Sequence, residues 1–182
     1  MCDFSCETVA SVLIFVYTRE LEITNKSVGP LIKCADELGI CEIVHMCCEY
    51  LKCVCVDNAI YFYSIAENYN LADIRDGIYQ FILDHFLDVA QTKHFQYVPV
   101  ERLYKFLSDD GLNVTSEVDV FYVVACWIDF CREERLQLAA QLLQCAVRLQ
   151  CISPEDLVTK IEPVEWIFEN PECQAMLSDA IK

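Results

Sequence analysis

Residues 58–71, 81–95 and 103–128 read NAIYFYSIAENYNL, FILDHFLDVAQTKHF and LYKFLSDDGLNVTSEVDVFYVVACWI. Each block carries signals that start and stop helices. Asp57 or Asn58 caps a helix with Ile60, Ile65 and Ala66 at helical spacing. Asn68, Tyr69 and Asn70 break it, and the period resumes through Leu71, Ile74, Ile78, Phe81 and Ile82. Pro99 suits the first turn of a helix holding Leu103, Phe106 and Leu107. The run Ser108, Asp109, Asp110, Gly111 ends that helix. Ser116, with Asp119 three residues on, forms an acidic variant of the capping box. Behind it Val120, Val124, Trp127 and Ile128 make the stripe of a helix expected to be the most buried in the chain.

Outward from this stretch the pattern stays helical. Ser5 or Asp3 caps a helix whose inward positions read as Val9, Val12, Leu13 and Val16. Leu21, Glu22 and Ile23 alternate like a short strand. Asn25 or Ser27 starts a helix with Val28, Leu31, Ile32, Ala35 and Leu38 inward, and Gly39 stands where a left-handed cap is expected. A helix over 42–52 places Ile43, Met46, Cys47 and Tyr50 on one face. Ser153 before Pro154 is another cap-plus-proline start, and Pro163 and Pro171 punctuate the last short helices. Helical pairs in series suggest solenoid-like stacking.

Composition narrows the function. The 182 residues are 55% hydrophobic, with a mean hydropathy of +0.28, enough for a sizeable core in one or two domains. The runs VASVLIFVY and VFYVVACWI are about half of the ~20 residues a membrane helix requires, so both read as buried helices. The apolar excess points to a surface that a partner or further chain covers, and to aggregation where it is bare. A net charge of −16 offers no basic stripe for phosphates and disfavours anionic membranes. It favours basic partners instead. No signal peptide is visible at the start. Thirteen cysteines without one read as free thiols in a reducing compartment. Cys34, Cys126 and Cys145 sit inside apolar helical patterns, where a thiol acts as a small hydrophobe.

Chemistry is thin. His45, Cys47, Cys48, Cys53 and Cys55 cluster in HMCCEYLKCVC, but CC and CVC do not make the paired knuckles of a zinc site. Lys52 beside Cys53 is the one local hint of an activated thiolate. His45, His85 and His94 accompany no nucleophile elbow, and four glycines leave no phosphate loop. Neither an enzyme nor a cofactor is expected. Arg148, in the apolar run AVRLQ, reads as a buried cation needing a carboxylate, with Glu117 a candidate.

The three blocks resemble the BACK domain of BTB–Kelch proteins, substrate adaptors of cullin-based ubiquitin ligases. FSCETVASVLIFVYTRELEIT (4–24) looks like the last third of a BTB domain, and LLQCAVRLQCISPEDL (142–157) with NPECQAML (170–177) resembles the end of BACK. The resemblance implies an all-α fold: a helical BACK domain of stacked helix pairs over 56–182, including the 3-box. Before it, over 1–55, stands the C-terminal part of a BTB/POZ domain with one short strand. Against the family pattern the early BTB elements and the Kelch propeller are expected to be missing. Arg19 and Gln150 stand where the family usually has glycine and proline, and Arg19 places a side chain in a tight turn.

What the resemblance implies for function is a non-catalytic adaptor or scaffold of a cullin-3 RING ubiquitin ligase in the cytoplasm, the nucleus being also open. Its partners would be cullin-3, less strongly held without the early BTB elements, and BTB–Kelch relatives. A protein substrate would belong to a longer form. Cullin contact carries over to Leu38, Ile40, Ile65 and Tyr69, which on the residues alone read equally as core. The alternative is a helical interaction module outside ubiquitination, transcriptional or cytoskeletal.

Overall fold

The computed structural model describes residues 4–181. Among them run thirteen α-helices: α1 Cys6–Thr18, α2 Val28–Glu37, α3 Cys41–Leu51, α4 Ala59–Asn68, α5 Ala72–Asp84, α6 Phe86–Ala90, α7 Val100–Leu107, α8 Glu117–Phe130, α9 Arg132–Arg135, α10 Ala139–Ala146, α11 Pro154–Asp156, α12 Glu165–Glu169 and α13 Pro171–Ile181. The described residues contain no strand. The chain divides into two compact units, one ending at Phe81 and the other starting at Ile82, inside α5.

In the first unit Ser5 caps α1, its Oγ accepting from the Thr8 N–H at 3.2 Å; Asp3 lies outside the described residues. The inward face of α1 is not the expected one. Thr8, Val12 and Phe15 are buried, whereas Val9, Leu13 and Val16 are exposed. A helix apolar nearly all round has no polar side to declare its orientation, so the packing partner α2 chooses the face. Arg19 then turns the chain in the left-handed region at φ 64°, keeping the turn that glycine would make.

Leu21, Glu22 and Ile23 are not a strand. They join no ladder, because period-2 side chains make a strand only where a neighbour supplies hydrogen bonds. Beyond them Thr24 and Ser27 bond reciprocally, Thr24 N–H to Ser27 Oγ at 2.9 Å and Ser27 N–H to Thr24 Oγ1 at 3.2 Å, and start α2. At its end Gly39 takes φ 70°. There the Gly39 N–H reaches Asp36 O and the Ile40 N–H reaches Ala35 O, a Schellman closure that satisfies the last carbonyls. The same closure ends α4, with Asn70 at φ 53° and the Leu71 N–H on Ala66 O. Asn58 precedes α4 and accepts from the Cys55 N–H at 2.8 Å.

The second unit is organised around α8. Ser116 Oγ accepts from the Val118 N–H at 3.1 Å, but the other half of the expected box is absent. Asp119 instead accepts from Thr115 Oγ1 at 2.8 Å. The helix buries seven of its fourteen residues, Val120, Val124, Trp127 and Ile128 among them. Burying each such side chain contributes about 1.5–3 kcal/mol. Trp166 of α12 stacks on Phe121 at 5.8 Å, Phe86 meets Phe95 edge-on at 5.7 Å, and α13 packs on α10 and α12. Ser153 caps α11, which continues into a π-helix over Leu157–Ile161.

Two expectations fail here. Cys126 and Cys145 are exposed, while Cys34 is buried; the first two lie on helices but on their outer sides. Arg148 is also exposed. Glu117 does reach it, but through the Arg148 backbone N–H, 3.2 Å from Oε2. A short apolar run marks a segment that packs, and Arg148 and Gln150 are the residues of that run that face water.

Candidate partner-binding surface

Leu38, Ile40, Ile65 and Tyr69 all lie in the first unit, where the ends of α2 and α4 set them. The Schellman turn at Gly39 fixes the corner between α2 and α3, and α2 and α3 pack against each other. Leu38, as the C-cap residue, is left 59% exposed at that corner. Ile40 is half-buried just past it.

Ile65 belongs to the interior. It is buried on α4, and its Cδ1 would stand 3.5 Å from a Cβ placed on Gly29 of α2. Ile65 thus packs on the first turn of α2 at a distance that would leave even an alanine at 29 in ordinary van der Waals contact. Tyr69, half-buried, donates its hydroxyl to the Gly29 carbonyl at 3.2 Å. Burial pushes its phenol above the usual range, and Tyr61 and the carboxylates of Asp36 and Glu37 push the same way. Tyr69 therefore bonds as a neutral phenol at the first turn of α2, the end opposite Leu38. The arrangement is one exposed apolar side chain on a rigid corner, with Ile65 and Tyr69 bracing α2 from behind.

The cysteine cluster has no such geometry. Cys47 is buried on α3 and desolvation pushes its thiol up to about 12. Cys48 is raised by burial too, with Lys52 only partly opposing. Lys52 is held by Glu49 at 2.6 Å. Both shifts run against an activated thiolate, which needs a lowered pKa. No group of three His, Cys, Asp or Glu among the described residues could hold a metal ion, and no described helix is long and apolar enough to cross a membrane.

A second apolar surface lies on α1. Leu13, Ile14, Val16 and Tyr17 project from α1, Tyr17 with 85% of its surface exposed. The signal was the absence of any charge between Glu7 and Arg19, read as deep burial when it marks instead a helix with apolar residues on every side.

Comparison with known proteins places these features in a family. Residues 59–162 match the BACK model, "BTB And C-terminal Kelch", and residues 1–53 match the BTB/POZ domain model. Kelch-like protein 31 of Danio rerio is 31% identical over all 182 residues, which cover 28% of that relative. Human Kelch-like protein 31 is 32% identical over 98% of this chain and 28% of its own length. Human Kelch-like protein 3 is 27% identical over 99% of this chain and 31% of its own. The chain spans less than a third of the length of the curated relatives it matches. It belongs to the BACK family, and what it shares with Kelch-like proteins is their BTB–BACK part.

Proposed function

We propose that this chain acts in a cullin-3 RING ubiquitin ligase as a non-catalytic adaptor or scaffold. Kelch-like BTB–BACK proteins are a family of adaptors, so a role in protein–protein contact follows from membership. The observation that supports the finer reading is the α2–α3 corner. Leu38 is a large apolar side chain, more than half exposed, on a turn whose backbone hydrogen bonds are satisfied. The backbone of the corner is already hydrogen-bonded, so binding has only the Leu38 side chain left to order there. Ile40 adds apolar surface beside it, while Ile65 and Tyr69 act from behind by holding α2.

In this reading residues 1–55 are the C-terminal part of a BTB/POZ domain and 56–182 the BACK domain with its 3-box, a division supported by matched ranges that end at 53 and begin at 59. Protein substrate and BTB–Kelch relatives would be engaged by a longer form. The proposed compartment is the cytoplasm, with the nucleus open. Calorimetric titration with the N-terminal domain of cullin-3 tests the assignment. Binding at micromolar strength or tighter is expected; no heat from a folded sample would favour a helical interaction module outside ubiquitination.

A further inference from the structure

Where α10 packs on α7 and α13, the second unit leaves a cavity of about 670 Å³. That volume lies within the range of about 300–1,000 Å³ usual for small-molecule sites. The end of α7, the last turn of α10, the turn over 147–151 and part of α13 supply the walls. Leu107, Leu143, Ala146, Val147 and Leu149 line it and are themselves buried. Much of the wall is therefore apolar and held in place by core packing.

Arg148 is the exception in that lining. Its guanidinium makes no hydrogen bond and no ion pair among the described residues. Other arginines of the unit are engaged, Arg132 by Glu165 at 3.1 Å and Glu169 at 3.0 Å, and Arg135 by two carbonyls. Carboxylates do stand near Arg148. Asp109, Asp110 and Glu117 line a smaller cavity of about 40 Å³ that shares it. Glu117, however, accepts from the Arg148 backbone N–H, and Asp109 accepts from the Gly111 N–H at 2.9 Å. Asp179, the acidic residue of the larger cavity, already has a partner. The site thus joins an apolar wall to a cation that lacks a counter-charge.

We infer that this cavity binds a free amphipathic monocarboxylate, its apolar tail against Leu107, Leu143, Val147 and Leu149 and its carboxylate on Arg148. A planar guanidinium offers paired N–H donors that match the two oxygens of a carboxylate. Burial of the tail supplies the affinity, and Arg148 supplies the choice of head group. A cationic amphiphile meets repulsion from Arg148, and an uncharged one leaves it unpaired. The inference stands apart from the cullin reading, since Leu38, Ile40, Ile65 and Tyr69 all belong to the first unit.

Two exposed thiols of the wall, Cys145 and Cys151, report occupancy, while the exposed Cys6 and Cys126 lie outside the lining. The test is thiol labelling of the whole chain, read cysteine by cysteine by mass spectrometry, in the presence of decanoate below its micelle-forming concentration. Labelling of Cys145 and Cys151 should slow at least tenfold, with Cys6 and Cys126 unchanged. Methyl decanoate keeps the tail and removes the charge, and should protect at least tenfold more weakly; this arm needs no variant. Arg148→Met, checked for folding by its melting curve, should need at least tenfold more decanoate for the same protection. Equal protection by the methyl ester, or of a folded Arg148→Met chain, would reduce the binding to apolar partition and overturn the proposal. So would equal slowing at all of these thiols, the mark of a general detergent effect. Unchanged labelling of Cys145 and Cys151 would overturn it outright.

Discussion

The guanidinium of Arg135 lies 3.8 Å from the Trp127 ring centroid and donates to the Trp127 carbonyl at 2.6 Å. A second donation reaches Gln96 O at 2.8 Å, and the Trp127 indole N–H reaches Val98 O at 3.0 Å. One arginine at the end of α9 thus ties the 96–98 segment to the end of α8. Burial lowers the Arg135 pKa, but a guanidinium starts so far above neutrality that it stays charged at neutral pH. Arg135→Met should cost about 2–3 kcal/mol, from two lost charged hydrogen bonds and the ring contact. Urea unfolding reads this; a loss below about 0.5 kcal/mol would remove the clamp from the account.

Glu117 and Arg148 give the opposite forecast. Because the bond uses the Arg148 backbone N–H, Arg148→Met should leave stability within about 0.5 kcal/mol of the parent, the range of an ordinary surface change. Glu117→Ala should cost about 1 kcal/mol, losing that bond and a carboxylate in the first turn of α8. Paired unfolding curves would reverse the assignment if the arginine variant proved the costlier.

Arg19 holds a left-handed conformation that costs a side chain about 1 kcal/mol, against an exposed ion pair with Glu42 worth less than about 1 kcal/mol. Arg19→Gly removes both and should fall within about 1 kcal/mol of the parent. Arg19→Ala keeps the strain and loses the pair, so it should be about 1 kcal/mol less stable than Arg19→Gly. Equal midpoints for the two variants would show that the turn stores no strain.

The thiols should separate by accessibility. Cys34, Cys47 and Cys173 are buried, and burial raises the thiols of Cys47 to about 12 and Cys173 to about 11. A thiol pKa raised above its unfolded value contributes stability that is fully present below about pH 9 and is lost as pH climbs toward 11–12. At neutral pH a thiol-reactive dye should reach the exposed cysteines at once and these three only after denaturation. Fast labelling of Cys47 in the folded chain would contradict the packing of α3 on α2.

Local signals were legible in the sequence because they need no distant neighbour. The serine caps at Ser5, Ser116 and Ser153 and the left-handed Gly39 each depend on a few residues of chain, and each stands where its neighbours require it. The face α1 buries, the pairing of Leu21–Glu22–Ile23 and the exposure of Arg148, Cys126 and Cys145 depend on what lies across the fold. Periodicity cannot choose a face on a helix apolar all round, and alternation cannot supply a missing strand. At the candidate site the end of α2 was legible from Gly39. That Ile65 would sit behind Gly29 while Leu38 faces water was not, because both are apolar residues at helical spacing.

The most direct test of the adaptor account is calorimetric titration of the N-terminal domain of cullin-3 into the parent chain and into Leu38→Asp, with melting curves of both. The account predicts binding at micromolar strength or tighter for the parent, at least tenfold weaker for the variant, and closely similar melting midpoints, because Leu38 faces solvent. Equal affinity for the two chains, or no binding by a folded parent, would contradict it.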